Sequence, residues 1–257
     1  MLPLRDNIPT RRTPIVTIAI IAICVIVYFF LQKGGISGPS DNGVVKYAAI
    51  PYEITHPGKE CGLTVTGNVG CQGVGGIPAN APAPPQPSTW LTILFAMFMH
   101  GSLLHIAGNM LFLWIFGNNV EDSMGGVRFS AFYLLGGLVA TATQVAVDPN
   151  STTPTLGASG AIAAVLGGYA LLYPRARVLT LVFIIIFVTV IELPALLVLG
   201  LWFLLQLADA ASQPLQGGGG VAYFAHIGGF IFGLLLIRVF ANRPNDDYLR
   251  GSRIPVY

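Results

Sequence analysis

Apolar residues along this chain fall in long blocks, and the polar positions inside those blocks are few. Six blocks approach the length of about 17–25 apolar residues with which a helix crosses a bilayer. They are Ile15–Leu31, Leu103–Gly117, Phe129–Val147, Ala158–Tyr173, Ala195–Ala211 and Val221–Phe240. Pro14 precedes the first block at a tolerated first-turn position. The second and fourth blocks are short and rich in small or polar residues. A further apolar segment, "VLTLVFIIIFVTVIELP" (Val178 to Pro194), is dense in β-branched residues and ends on a proline that would break a continuing helix.

Composition sharpens this pattern. Of 257 residues, 54% are hydrophobic and 9% charged, against a usual charged share of about 25%. So few charges cannot keep a soluble domain dispersed, and the 31 glycines suit membrane helices. The chain is read as an integral, multi-pass, all-α membrane protein. Arg5, Arg11 and Arg12 before the first block would fit a signal peptide. The apolar run is longer than a signal core and no A-x-A site follows, so a retained anchor is expected.

Lys and Arg accumulate on the cytoplasmic side of membrane proteins. With six spans and both termini inside, Arg5, Arg11, Arg12, Arg128, Arg175, Arg177, Arg238, Arg243, Arg250 and Arg253 fall inside, ten of the thirteen basic residues. Lys33, Lys46 and Lys59 fall outside on one long loop, residues 32–88. The organisation expected is a cytoplasmic N-terminal tail (1–14), a transmembrane domain (15–241, outer loop included) and a cytoplasmic C-terminal tail (242–257). The setting expected is a bacterial plasma membrane.

The outer loop is glycine-rich and then proline-rich in "IPANAPAPPQPS", an extended tether rather than a domain. Cys61 and Cys71 can close a disulfide there that staples a local turn, or stand as two unrelated thiols. Cys24, inside the first block, reads as packing. A net charge of +2 offers no hint of nucleic-acid binding. No feature calls for a metal or an organic cofactor, and none bears on oligomeric state.

Polar groups at membrane depth are costly and are functional candidates by default. "MHGSLLHIAGNM" holds His100, His105 and Asn109, the last two stacked four apart on one helical face. "TLGASGAIAAVLGGY" places Ser159 at the start of a helix with a stripe of Ala163 and Gly167, flanked by Gly160, Ala164 and Gly168. "AYFAHIGGFIFG" carries His226 on a stripe with Ala222, Gly229 and Gly233. Two smooth faces let helix backbones approach closely. They can bring the serine within hydrogen-bond reach of the histidine, the minimum for an activated nucleophile. Free N–H groups at the helix start and side-chain donors from His105 and Asn109 would then meet a developing oxyanion.

Taken singly, each residue has a plainer reading. Ser159 can be a packing residue, His226 a satisfied core histidine, and His105 with Asn109 an interhelical hydrogen bond. A metal site of His100, His105 and His226 lacks an acidic or cysteine partner. It is the conjunction that points to acyl transfer.

"HGSLLHIAGN", "GASGA" and "AHIGG", in that order on successive spans, resemble the rhomboid intramembrane serine proteases over about Trp90 to Phe240. The resemblance implies a six-helix rhomboid-like bundle with a long outer loop between helices 1 and 2. It implies Ser159 as nucleophile and His226 as its base, a dyad with no Asp partner. His105, Asn109 and the Ser159 backbone N–H match the oxyanion side; Gly157 matches the first glycine of the serine motif, with Gly160 and Gly229 at the close helix contact. His100 matches a recurrent structural residue, and Glu121 in "GNNVEDSMG" a structural acidic position. Some members carry an aromatic residue four positions after the nucleophile, where this chain has Ala163. The implied activity is cleavage of transmembrane segments of other membrane proteins within the lipid bilayer, with no cofactor and no nucleic-acid partner. The alternatives are a catalytically inactive rhomboid-like protein that binds membrane clients, and a small-solute transporter with a histidine proton path.

Span parity bears on Val178–Glu192. Ser159 and His226 both begin their spans at the outer end, so the chain between those two spans crosses the membrane once. That segment is therefore expected to be an interfacial hairpin or a kinked, half-buried approach.

Overall fold

The computed structural model describes residues 2–36, 38–78, 85–184, 187–212 and 222–242. Much of the proline-rich tether, Val221 and, beyond Asn242, the C-terminal tail with Arg243, Arg250 and Arg253 lie outside the described residues.

The chain is mostly helical. It opens with strand β1 (Leu2–Asp6), then helix α1 (Ile15–Ile26), which continues as a π-helical turn over Val27–Leu31. The long loop holds short helices α2 (Asp41–Tyr47) and α3 (Pro51–Thr55) and the strand pair β2 (Cys61–Leu63) and β3 (Val69–Cys71). Helix α4 (Thr89–Ala96) leads to α5 (Leu103–Phe112), which runs through a π turn (Leu113–Gly117) into α6 (Asn118–Met124). Then come α7 (Gly126–Val147), α8 (Ser159–Leu172), strands β4 (Arg177–Ile184) and β5 (Phe187–Pro194), α9 (Ala195–Ser212) and α10 (Tyr223–Phe240). Among the described residues, four helices are long and apolar enough to cross a membrane: Leu103–Met124, Gly126–Val147, Ala195–Ser212 and Tyr223–Phe240. Two apolar helices, Ile15–Leu31 and Ser159–Leu172, are shorter.

Helix α8 is the hub. Every residue from Gly160 to Ala170 is buried, so it is sealed on all sides by protein. Its glycines explain how so many neighbours fit. A methyl group on Gly229 of α10 would fall on the Gly160 carbonyl oxygen, and one on Gly233 on the Ala164 carbonyl oxygen. From the α8 side, a methyl on Gly167 would fall on the Phe230 carbonyl oxygen. The two backbones therefore touch directly, the packing that small-residue faces permit.

The all-α expectation is corrected at one end of the bundle. β4 and β5 form an antiparallel hairpin, and β1 adds to its edge in the order β1-β4-β5. The cause is local: Val, Ile and Thr are stiff at χ1 and pack well on a pleated surface. Arg177 of β4 pairs with Glu192 of β5 at 3.6 Å. Of the two forms considered for this segment, it takes the hairpin. Part of the expected N-terminal tail, residues 2–6, is thus ordered as a strand. Asp6 at its end is buried, and its Oδ2 accepts hydrogen bonds from the Asn119 amide and the Tyr169 hydroxyl, both at 2.6 Å. Burial pushes its pKa up from 3.8 to about 7, although the Tyr169 bond opposes the shift.

Glu121 fastens α6 to the start of α1. Its carboxylate accepts the N–H of Val16 (3.0 Å) and both the N–H and hydroxyl of Thr17 (2.7 Å each). An acidic group there satisfies donors left open in the first turn and complements the helix dipole.

At the opposite end the long loop reaches the approach to α8. Ala49 and Thr155 exchange backbone hydrogen bonds at 2.8 and 3.0 Å, Tyr52 N–H donates to the Ser151 carbonyl, and the Thr55 hydroxyl to the Pro149 carbonyl. Cys61 and Cys71 stand directly opposite each other in β2 and β3 and are disulfide-bonded. Cys24 is a free, buried thiol.

Candidate active site

Ser159 is the first residue of α8 and His226 lies in the first turn of α10. Close backbone contact between the two helices brings the side chains together: His226 Nε2 lies 2.7 Å from Ser159 Oγ. The contact also fixes direction, since two helices that meet at their first turns begin at the same end of the molecule. Ala195, which opens α9, donates its N–H to the Ala176 carbonyl just after α8. The strand hairpin thus returns the chain to the end it left, and α9 leads from there back towards the start of α10.

The other ring nitrogen of His226 is also occupied. Nδ1 lies 2.6 Å from Oε1 of Gln206 on α9. The Trp202 ring, one helical turn earlier, has its centroid 5.8 Å from that of His226 at an interplanar angle of 37°. Tyr223 meets the imidazole edge-on at 6.3 Å. These rings surround the histidine where Ala163 offers only a methyl group. Gln206 and Trp202 belong to no motif in the sequence. A lone Gln in an apolar span was the available signal, but which face of α9 meets α10 is set by tertiary packing.

Gly157 shapes the ground beside the serine. Its φ of +137° is a conformation that residues with a Cβ rarely adopt. A Cβ there would stand 3.2 Å from both Ser159 Oγ and His105 Cε1. Its N–H donates to the Ala96 carbonyl at 2.8 Å, tying the serine loop to α4. The edge of His105 therefore faces the space next to the hydroxyl. His105 Nδ1 accepts the Gly101 N–H at 3.3 Å, so the neutral ring carries its proton on Nε2, on the Gly157 side. Ser102 caps α5 by accepting the His105 N–H at 3.0 Å. One turn along α5, the Asn109 side-chain nitrogen is buried and has no hydrogen-bond partner among the described residues. Unused donors of this kind are what a developing oxyanion needs.

His100 differs. Its ring is fully buried, with neither nitrogen hydrogen-bonded among the described residues, and it sits 5.3 Å from the His105 ring. Its backbone is clamped by Gln32: the Gln32 amide donates to the His100 carbonyl and accepts the His100 N–H, each at 2.9 Å. His100 thus ties the end of the first helix to the α4–α5 turn. The three histidines do not converge on one point, because both nitrogens of His226 face Ser159 and Gln206.

The Rhomboid domain family model matches residues 87–243, more than half of the chain and all of the residues just described except Gln32. Rhomboid protein 1, mitochondrial, of Saccharomyces cerevisiae is 30% identical over 56% of this chain and 40% of its own length. Presenilin-associated rhomboid-like protein, mitochondrial, of Bos taurus is 32% identical over 56% and 37%. RHOMBOID-like protein 5 of Arabidopsis thaliana is 28% identical over 63% and 48%. The chain thus aligns with less than half the length of these curated relatives. Named as mitochondrial or drawn from a plant, they overturn the expectation of a bacterial plasma membrane, which is withdrawn. Charge bias distinguishes the two faces of a membrane but does not say which membrane it is. With the matched region spanning the serine loop, the histidine helix and the donor helix together, the chain belongs to the rhomboid family.

Proposed function

We propose that this protein is an intramembrane serine endopeptidase that cleaves transmembrane segments of other membrane proteins with a Ser159–His226 dyad. The observation that carries the reading is the 2.7 Å contact between Ser159 Oγ and His226 Nε2, since a serine hydroxyl is a weak nucleophile without an adjacent base. In this reading residues 15–241 form one six-span rhomboid-type domain with the loop 32–88 included. The strand sheet and both flanking segments (1–14 and 242–257) lie on one side of the bilayer, and the loop and dyad on the other.

The chemistry follows the geometry. Ser159 Oγ attacks the scissile carbonyl carbon as its proton passes to His226 Nε2. The carbonyl π bond becomes a C–O⁻, which in this reading accepts hydrogen bonds from the Ser159 backbone N–H, His105 Nε2–H and the Asn109 amide. Collapse breaks the C–N bond, and the His226 Nε2 proton goes to the leaving amine. Water, activated by the same nitrogen, then hydrolyses the acyl-serine. A peptide bond within a helix is shielded by its own hydrogen bonds, so segments with helix-breaking residues open at lower cost. The substrate and the lipid bilayer are the partners, and no cofactor enters any step.

The test is cleavage of a transmembrane substrate co-reconstituted in vesicles. Ser159→Ala and His226→Ala should each abolish it, and the double variant should be no worse than either, because a nucleophile and its base act as a unit. Asn109→Ala should retain activity reduced by about 10²–10³. Cleavage by purified Ser159→Ala at the unmodified rate rules out the serine mechanism. Absence of cleavage by the unmodified protein in several lipid compositions favours a client-binding role.

A further inference from the structure

We infer that Gln206 is a third, positioning member of the dyad, a residue on α9 that holds the His226 imidazole in its basic tautomer and orientation. The inference rests on the proteolytic reading above and extends it to a residue outside the serine and histidine motifs.

The argument begins with donors and acceptors. A neutral imidazole has one N–H and one lone pair. Gln206 Oε1 stands 2.6 Å from Nδ1, and a carbonyl oxygen can only accept, so Nδ1 carries the proton. The lone pair is then on Nε2, the nitrogen 2.7 Å from Ser159 Oγ. In the other tautomer Nε2 would be a donor unable to take the serine proton. Nδ1 would then present a lone pair to the Gln206 oxygen, two acceptors in contact that only a turn of the amide could relieve. With the amide turned oxygen-first towards the ring, as it is here, the contact accommodates the productive tautomer and not the other.

Orientation follows from helix geometry. Trp202 and Gln206 are four positions apart, one above the other on a single face of α9, and both meet His226. Trp202 also packs on Phe230, one turn further along α10 from the histidine, with centroids 6.1 Å apart. Phe203 stacks on the same Phe230 ring at 4.4 Å. The imidazole is therefore held against rotation by an indole beside it and an amide at its far nitrogen. During proton transfer Nδ1–H remains bonded to Gln206 Oε1, and its carbonyl dipole stabilises the imidazolium formed when Nε2 gains the serine proton. Unlike an aspartate in that place, the amide contributes no net charge.

Two variants separate positioning from packing. Gln206→Met keeps side-chain length without the carbonyl acceptor. Gln206→Glu keeps an acceptor of the same reach. In vesicles, kcat should fall about tenfold or more in Gln206→Met, comparable with the loss of one buried hydrogen bond, with KM within about twofold. Gln206→Glu should restore kcat to within about threefold of the unmodified protein. In ¹⁵N-histidine spectra, the His226 imidazole of the unmodified protein should carry its proton on Nδ1. In Gln206→Met, an Nε2–H population should appear. Protonation on Nε2 in the unmodified protein, unchanged kcat in Gln206→Met, or a Gln206→Glu variant no better than Gln206→Met overturns the inference. The tautomer is read from the unmodified protein, so it decides the matter even if a variant fails to fold. Failure of the proteolytic reading is separate: it would appear as no Ser159-dependent cleavage in the unmodified protein, whatever the tautomer.

Discussion

Replacing Asp6 by Asn should make the protein more stable at neutral and alkaline pH and remove a pH dependence that the unmodified chain has. Asp6 is 7% exposed and accepts two short hydrogen bonds, from Asn119 and Tyr169. Even so, burial raises its pKa from 3.8 to about 7. A carboxyl group with a raised folded-state pKa binds its proton more tightly folded than unfolded. Its contribution to stability is therefore fully present below about pH 4 and is lost as pH rises through about 7. The full shift corresponds to about 4 kcal/mol, of which roughly 2–3 kcal/mol falls between about pH 5 and pH 8. An Asn oxygen can take both existing hydrogen bonds with no charge to desolvate, so this term vanishes in Asp6→Asn. Thermal unfolding of both proteins in the same lipid nanodiscs, across that pH range, isolates it as the difference between the two curves. The difference should widen in favour of Asp6→Asn as pH rises. A constant difference, or a variant less stable than the unmodified chain at about pH 8, refutes the assignment of Asp6 as a group neutralised by burial.

The remaining expectations concern packing, topology and the loop. Gly233→Val should cost about 3 kcal/mol or more and abolish activity. Its side chain meets the Ala164 carbonyl rather than a yielding neighbour; thermal unfolding with parallel cleavage assays measures this, and a stable, active variant would contradict direct backbone contact. In a background lacking native cysteines, an impermeant thiol reagent applied from the side of the long loop should label a cysteine placed at Asn150 and spare one at Thr189; the reverse pattern contradicts the proposed topology. Reducing the Cys61–Cys71 bond should release roughly 2–3 kcal/mol of chain-entropy stabilisation and raise hydrogen exchange at Ala49 and Thr155, the link between the loop and the approach to Ser159. Unchanged exchange there would show that the loop holds that link without its disulfide.

What could be read from the sequence follows how local each signal is. Ser159, His226 and their small-residue stripes each lie within two or three turns of one helix, so periodicity exposes two smooth faces that can bring the side chains together. The i, i+4 pair His105 and Asn109 is legible for the same reason. The strand hairpin was half legible: β-branched density and Pro194 argued against a helix, but pairing with Leu2–Asp6 joins segments about 170 residues apart, and no local pattern announces such a partner. No local pattern marks Asp6, because the groups that bury it come from α6 and α8. Gln206 is not legible in the sequence because its meaning depends on the rotation of α9 about its axis. The link from Ala49 to Thr155 is likewise a long-range backbone pairing, and it makes the long loop more than the tether its glycines and prolines suggested.

The most direct test of the central claim is labelling of the purified, bilayer-embedded protein with a serine-directed fluorophosphonate, followed by peptide mapping. The account predicts one adduct, on Ser159, absent from Ser159→Ala and lost from His226→Ala, because the hydroxyl reacts only when Nε2 takes its proton. An adduct on another residue, or labelling of His226→Ala at the rate of the unmodified protein, would contradict it.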